Sequence, residues 1–331
     1  MAQGDWTDPA YGRITFGEYA EAWLESRADL KPKTRHQYRS LMRQHITPTW
    51  HAVPLAKITF ESLTRWVSQL SSSGLGPSAI RQSVFVMSAA LDHAVRSRRI
   101  RSNPARGLGL PRPKRRDYVF LTHGQVLTLA DAAGRWRLLI LVLAYTGLRW
   151  GEATALRVCD IDFDRRRIDV RRAFSDVGGR VVLGTPKSHQ PRTVPLPRFV
   201  AAELAAGVDG KRPDDLVFTM PGGSVMRLSN WRLATFVPAR TRAGLSDRFR
   251  IHDLRHSAAS LMIQAGYPPK MLREIMGHAS ITTTLDLYGH LYPGEMDRYV
   301  DRLDEAATEG DAAKMRPDED TGETDPEESG C

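Results

Sequence analysis

The densest group of chemically useful side chains in this 331-residue sequence lies between residues 250 and 292. His252 and Arg255 stand three positions apart, so they share one edge of the first turn of a predicted helix. A second predicted helix ends directly before His278, and a third predicted helix carries Tyr288. The sequence therefore predicts three short helices that bring two histidines, an arginine and a tyrosine together.

These residue types suit chemistry on a phosphodiester. The planar guanidinium of an arginine donates two parallel hydrogen bonds to phosphate oxygens, and an imidazole beside it can donate a hydrogen bond or a proton. A phenol, with a pKa of about 10, is a weak nucleophile, but surrounding positive charge lowers the free energy of its phenolate. No Asp and Glu cluster with the spacing of a divalent-metal site lies nearby. The stretch predicts phosphoryl transfer to tyrosine without metal or cofactor.

Five motifs resemble those of the tyrosine recombinase, or phage integrase, family. Three of them resemble the family's C-terminal signature: H-D-L-R-H at 252–256, L-R-E-I-M-G-H at 272–278 and T-T-L-D-L-Y at 283–288. T-G-L-R-W-G-E-A at 146–153 resembles the motif of the family's first catalytic arginine, and T-P-K-S-H-Q-P-R-T-V-P-L-P at 185–197 resembles the hairpin of its catalytic lysine. All occur in order across the C-terminal two thirds of the chain, which makes the resemblance specific.

The resemblance implies a site-specific DNA recombinase that integrates or excises a mobile element or prophage. The implied catalytic residues are Arg149, Lys187, His252, Arg255, His278 and the nucleophile Tyr288, with Glu152 as the carboxylate neighbour of the first arginine. Tyr288 would attack the phosphate to give a 3′-phosphotyrosyl link, and Lys187 would protonate the leaving 5′-oxygen. Because the ester conserves the bond energy, the resemblance implies neither ATP nor metal.

Neighbouring residues of the same types are expected to be structural. Tyr292 follows Tyr288 by one helical turn and precedes a proline, so we expect it to pack. His256 lies one residue beyond Arg255 and therefore on another face of the helix, so we expect it to pack as well. No feature of the sequence assigns a functional role to His290 or His189.

Charge favours a nucleic-acid partner. Of the net charge of +9, residues 301–331 carry 12 Asp and Glu against 3 Lys and Arg. Residues 1–300 therefore carry 44 basic and 26 acidic side chains, an excess of +18. Such an excess favours nucleic acid through counterion release, although high-GC genomes also raise arginine content.

Cysteines and hydropathy exclude several protein classes. Cys159 and Cys331 are the two cysteines, which indicates neither a disulfide framework nor a zinc site. The apolar run 138–145 is too short to span a bilayer, and the N-terminus has no signal pattern. We therefore expect a cytoplasmic, nucleoid-associated protein without membrane contact.

Apolar periodicity predicts a small bundle of four helices in residues 13–103, after a flexible leader at 1–12. The first predicted helix starts at a capping box at Thr15, and the other three cover Lys33 to His45, Glu61 to Leu70 and Ser78 to Arg98. The predicted surface of the bundle is rich in arginine and lysine. The resemblance implies a core-binding (SAM-like) DNA-binding domain. Residues 104–117 predict a basic linker that could also lie along a phosphate backbone.

Residues 118–306 predict a mixed α+β catalytic domain, so the fold class is mainly α with one small antiparallel sheet. One hairpin is predicted over 161–170, and 181–183 is expected to pair with 193–196, which places Lys187 at the tip. A short strand is predicted at 216–218, and residues 307–331 predict an acidic, disordered tail.

An apolar stripe follows the nucleophile on a last short helix, formed by Met296, Tyr299, Val300 and Leu303. It could fold back on its own domain, but the resemblance implies that it docks on a neighbouring protomer. The implied partners are double-stranded attachment sites and a homotetramer on two of them. The free chain is expected to be a monomer or weak oligomer, with excision factors or host DNA-bending proteins as further partners.

Two other functions stay open. A type IB topoisomerase uses a similar set of catalytic residues, but the N-terminal bundle and the sequence of residues 146–153 favour a recombinase. The second alternative is a non-catalytic DNA-binding relic. The presence of every expected catalytic residue type argues against it.

The start of the chain leaves a further question. Many phage integrases carry an arm-binding domain first, yet the core-binding pattern starts by Ile14, and residues 4–13 resemble the joining segment of actinobacterial-type relatives. We expect either an arm-less form or a start codon further upstream.

Overall fold

A computed structural model describes residues 13–113, 118–186, 191–292 and 300–308. Two separate hydrophobic cores form, one from residues between Phe16 and Ala105 and the other from residues between Leu121 and Tyr288. The described part of the chain is mainly helical, as predicted, but it contains two small antiparallel sheets instead of one. Every helix within these ranges is too short or too polar to span a lipid bilayer.

Five helices build the first core. They are α1 (Phe16–Ser26), α2 (Pro32–Leu41), α3 (Thr47–Trp50), α4 (Phe60–Ser72) and α5 (Pro77–Arg96). The predicted capping box is present at the start of α1, where the Thr15 hydroxyl accepts from the backbone N–H of Glu18 and the Glu18 carboxylate accepts from the backbone N–H of Thr15. The buried Trp23 and Trp66 are among the largest side chains of this core.

The second predicted helix is longer than the sequence indicated. A π-helical turn over Met42–Ile46 joins α2 to α3, whose second residue is Pro48. Proline lacks an N–H group, and its ring clashes with the carbonyl group one turn earlier. The wider π turn accommodates this ring, so the helix continues to Trp50 instead of ending near His45.

The second core is centred on α7, which is apolar and buried from Leu139 to Thr146. Its helices are α6 (His123–Ala132), α7 (Arg137–Thr146), α8 (Trp150–Thr154), α9 (Arg198–Val208), α10 (Leu228–Trp231), α11 (Val237–Arg242), α12 (Ile251–Gln264), α13 (Pro269–Met276) and α14 (Ile281–Tyr288). Its strands are β1 (Ile161–Asp162), β2 (Arg167–Val170), β3 (Ala173–Val177), β4 (Arg180–Gly184) and β5 (Arg192–Pro195). Helices α6, α9 and α12 all pack on α7.

The predicted pairing of residues 181–183 with 193–196 is wrong. Strand β4 pairs with β3, because Gly178 and Gly179 both have positive φ and form a two-residue hairpin turn between them. Strand β5 pairs instead with β2, where the buried Ile168 and Val194 face each other, and β1 completes this second sheet. The chain therefore changes sheets between β4 and β5. The short strand predicted at 216–218 is reduced to a single bridge from Leu216 to Arg157.

The chain is helical again at residues 300–308. Val300 and Leu303, the two members of the terminal apolar stripe within the described residues, are exposed by 51% and 70%. The other two members, Met296 and Tyr299, lie outside the described residues. The described part of the stripe is therefore not buried against its own domain.

Candidate active site

Arg149 projects from a tight junction between α7 and α8. Helix α7 ends at Gly147, which has a φ of +65°. This positive φ favours glycine, and a Cβ atom here would also lie 2.7 Å from the sulfur of Met276 in α13, whose side chain would have to shift. Arg149 then takes the N-cap position of α8, and its backbone N–H donates to a carboxylate oxygen of Glu152 at 2.9 Å.

Glu152 is a buried carboxylate held by two arginines. Arg149 Nη1 donates to its Oε1 at 2.9 Å, and Arg192 donates to Oε1 and Oε2 at 3.1 and 2.7 Å. Burial alone would raise the pKa of Glu152, but the hydrogen bonds and charge of Arg192, with the charge of Arg149, lower it to about 2. The carboxylate is therefore ionised, and it orients Arg149.

Arg192 belongs to this site, although the sequence did not single it out. It begins β5, and its guanidinium also donates from Nε to the carbonyl of Ile275 at 2.8 Å. The signal was the period of the strand: positions 192, 194 and 196 share one face, on which Val194 and Leu196 are buried. An arginine on a buried face needs a charged or hydrogen-bonding partner.

Three arginines converge on the C-terminal end of α13. Its last carbonyl groups accept hydrogen bonds as follows: Ile275 from Arg192, Met276 from Arg255, and Gly277 from Arg149. Free carbonyl groups at a helix C-terminus carry partial negative charge, which favours cations there. The end of α13 therefore gathers three arginines immediately before His278.

Arg255 reaches this point from α12 and is buried. Its guanidinium donates to the carbonyl groups of Gly147 and Met276, and so it ties the end of α7 to the end of α13. Burial, followed by the charge of Arg149, lowers its pKa to about 9 despite the opposing effect of Glu152. The guanidinium remains charged at neutral pH, and Arg255 and Arg149 donate to the carbonyl groups of the consecutive residues Met276 and Gly277.

His278 is a neutral imidazole next to these cations. Its Nδ1 lies 2.9 Å from the hydroxyl of Thr284, and its ring is stacked at 6.3 Å, with an interplanar angle of 15°, on that of Tyr288. Burial and then the charges of Arg255, Arg149, Arg192 and His252 lower its pKa to about 4. In the free protein at neutral pH its N–H group can donate a hydrogen bond, but the ring is not an imidazolium and therefore cannot act as a general acid.

Tyr288 is fully buried at the end of α14, and its hydroxyl lies 2.8 Å from Nδ1 of His256. Burial raises the pKa of Tyr288 to about 12, although the charge of Arg255 opposes the rise. The expectation that His256 only packs is therefore incomplete, because this buried histidine is the hydrogen-bond partner of the predicted nucleophile.

His252 is exposed and faces a groove between the two parts of the chain. The groove is lined by Lys33 from α2, by Arg149 and by His252, and by Phe174 and Ser175 of β3. Close by, Lys31 Nζ donates to the hydroxyl of Thr185 at 3.3 Å and to the carbonyl of Pro186 at 3.2 Å. Cationic side chains from both parts therefore line one groove that leads to Arg149.

The remaining predicted residues divide into two groups. Lys187 and His189 lie outside the described residues. Tyr292 is half-buried, packs on the second core and donates from its hydroxyl to the carbonyl of Tyr267 at 3.2 Å, in agreement with a packing role. Among the described residues, no three His, Cys, Asp or Glu side chains are grouped so that they could hold a metal ion.

Comparison with known sequences gives two family matches. Residues 119–295 match the Phage integrase family, and residues 15–71 match the Phage integrase, N-terminal SAM-like domain. An integrase of Mycobacterium phage FRAT1 is 30% identical over 292 residues, which cover 83% of this chain and 86% of that protein. The ICEBs1 integrase of Bacillus subtilis strain 168 is 26% identical over 311 residues, with 88% and 83% covered.

Solved structures share the fold. The Tn1549 transposon integrase in complex with transposon right end DNA gives a TM-score of 0.76 at 21% identity, with 89% of this chain and 100% of that chain covered. A lambda integrase tetramer bound to a Holliday junction gives a TM-score of 0.63 at 18% identity, with 87% and 81% covered.

Proposed function

The chain belongs to the phage integrase family and is a tyrosine site-specific recombinase of a mobile element, and we propose that it cuts and rejoins double-stranded DNA through Tyr288. The observation that carries the proposal is the convergence at one place of four side chains from separate motifs. Arg149 and Arg255 both act electrostatically on His278, and Arg255 acts on Tyr288 as well. This arrangement fits one phosphodiester held beside one phenol.

The scissile phosphate binds to Arg149, Arg255, His252 and His278 in this mechanism. The arginine N–H groups now bound to carbonyl groups of α13 turn to the non-bridging phosphate oxygens, where charge-assisted hydrogen bonds are stronger. In the pentacoordinate transition state these donors stabilise the growing negative charge. Removal of one such preorganised donor typically costs about 10²–10³ in rate.

Tyr288 attacks the phosphorus, and the 3′-phosphotyrosyl bond forms as the bond to the 5′-oxygen breaks. Lys187 protonates this leaving oxygen. A 5′-hydroxyl of the partner strand then attacks the phosphotyrosine, which rejoins the DNA and frees Tyr288. No nucleotide cofactor or metal takes part in these steps.

The DNA lies in the groove between the two parts of the chain, with residues 13–103 as the core-binding domain and 118–306 as the catalytic domain. Lys31 and Lys33 of the first part and Arg149 of the second line this groove. Four copies on two attachment sites carry out the exchange, and the helix at 300–308 docks on the neighbouring copy. The exposure of Val300 and Leu303 supports this contact.

The test is a nicked DNA duplex that carries the junction sequence flanking the gene in its host, incubated with the protein in excess EDTA. The wild type should form a covalent protein–DNA adduct and exchange strands. Tyr288→Phe should form no adduct while binding DNA within a few fold of the wild type, and the matched variant Tyr292→Phe should form it normally. Adducts from Tyr288→Phe but not from Tyr292→Phe would move the nucleophile to Tyr292.

The same assay separates the alternative activities. Adducts without strand exchange, together with relaxation of supercoiled plasmid, would indicate a type IB topoisomerase. Specific DNA binding without any adduct would indicate a non-catalytic relic.

A further inference from the structure

Nucleophilic attack leaves one proton unassigned. The hydroxyl of Tyr288 is buried, and the burial that raises its pKa to about 12 makes the free phenolate rare at neutral pH. Lys187, as the acid for the leaving oxygen, must hold a proton before cleavage and so cannot receive this one. A base next to the Tyr288 hydroxyl is required.

We propose that His256 is the general base that takes the proton from Tyr288 during cleavage and returns it during rejoining. This inference rests on the proposed function, in which Tyr288 is the nucleophile. The evidence is a hydrogen bond of 2.8 Å between Nδ1 of His256 and the hydroxyl oxygen of Tyr288, the distance expected for direct proton transfer. His256 therefore touches a reacting atom.

Rings on neighbouring elements hold His256 in this orientation. The ring of Tyr118 lies 4.2 Å away, and the ring of His252, one turn earlier in α12, meets it edge-on at 5.1 Å. The imidazole is buried among these rings, so it is kept from bulk water and from other rotamers. When the imidazole proton is on Nε2, the lone pair of Nδ1 points at the Tyr288 hydroxyl.

Other side chains near the hydroxyl fit this role less well. The Nδ1 of His278 is bonded to Thr284, and its ring lies parallel to that of Tyr288 at 6.3 Å. Arg255 is a cation and has no lone pair to accept a proton. Among these residues, His256 is the one with a basic nitrogen within hydrogen-bond distance of the phenol oxygen.

The step balances as follows. The O–H bond of Tyr288 breaks as an N–H bond forms at Nδ1 of His256, and the phenol oxygen forms the bond to phosphorus. The bond from phosphorus to the 5′-oxygen breaks, and this oxygen takes a proton from Lys187. In the reverse direction the imidazolium protonates the departing phenolate, while Lys187 takes the proton of the attacking 5′-hydroxyl.

The test measures single-turnover adduct formation by His256→Ala on the nicked duplex. We expect the rate to fall by about 10²–10⁴-fold, the usual contribution of a general base. Imidazole should fill the space left by the side chain and restore part of the rate, and substituted imidazoles of higher pKa should restore more. His256→Gln keeps a polar side chain but cannot take up a proton, so it should be equally slow without rescue.

A matched control exists in the same domain. Nδ1 of the exposed His123 lies 2.9 Å from the hydroxyl of the buried Tyr145, a second histidine–tyrosine pair that has no role in the proposed reaction. His123→Ala should cleave at the wild-type rate and should not respond to imidazole. Circular dichroism of each variant identifies loss of rate that arises from unfolding, and His256→Gln is the variant that decides if His256→Ala unfolds.

A substrate with sulfur in place of the leaving 5′-oxygen distinguishes base from acid. Sulfur removes the need to protonate the leaving group, so the defect of His256→Ala should persist on it. If the defect disappears on sulfur, or if both His256 variants cleave at the wild-type rate while Tyr288→Phe is inactive, His256 is not the base. Adducts from Tyr288→Phe would instead overturn the assignment of the nucleophile.

Discussion

Arg192 holds both carboxylate oxygens of Glu152, at 2.7 and 3.1 Å, in a pair whose side chains are exposed by only 8% and 2%. Arg149 shares the same carboxylate. Without this acid, three arginines would meet in a buried site with no negative charge between them. Glu152 compensates part of that charge and leaves the rest available for a phosphate.

Arg192→Met should destabilise the folded protein by about 3 kcal/mol, because removal of one partner from a buried ion pair leaves the other charge poorly compensated. Urea unfolding at neutral pH measures the effect. Arg212→Met is the matched control: its pair with Asp215 is largely exposed, so its loss should leave the free energy of unfolding almost unchanged. Equal effects of the two changes would show that the buried pair has no special role.

The stability of the protein should fall steeply in acid because of Glu152. The pKa of this carboxyl is about 2 in the folded protein, below its ordinary value of 4.5. A lowered carboxyl pKa stabilises the folded state above pH 4.5 and loses that contribution as the pH falls toward 2, a change of about 3 kcal/mol. Glu152→Gln should be less stable than the wild type at pH 7, with a shallower fall between pH 5 and pH 3. Parallel curves in urea unfolding would contradict the assignment.

Lys187→Ala should slow cleavage of an ordinary phosphodiester far more than cleavage of one with sulfur as the leaving atom, because a thiolate leaves with little protonation. Rapid-quench measurement of adduct formation on the two substrates gives the ratio. Equal losses on both would remove the general-acid role from Lys187.

Truncation after Pro293 should leave a protein that binds a single half-site but no longer assembles recombining complexes, since it removes the helix that bears Val300 and Leu303. Truncation after Thr308 keeps this helix and should recombine normally. Gel-shift titration on half and full sites compares the two chains. Unchanged cooperative assembly by the shorter chain would exclude docking of this helix on a neighbour.

The amino-acid sequence alone predicts the local elements of this protein. The helices that carry Arg255 and Tyr288, and the helix that ends just before His278, follow from apolar spacing and from glycine and proline at their ends, which act over only a few residues. The same is true of the capping box at Thr15. The family motifs also predicted that one site contains Arg149, Glu152, Arg255, His278 and Tyr288. Periodicity could not predict this, because it gives no contacts between distant elements.

Which distant residues meet depends on how the helices and strands pack in three dimensions. Strand alternation is the same for any partner, so the pairing of β5 with β2 depended on where the buried Ile168 and Val194 could pack. The contacts of Arg192 with Glu152, 40 residues away, and of His256 with Tyr288, 32 residues away, have the same origin. Local spacing places a side chain on a face of its own element, but the group opposite that face is set by the packing of the whole core.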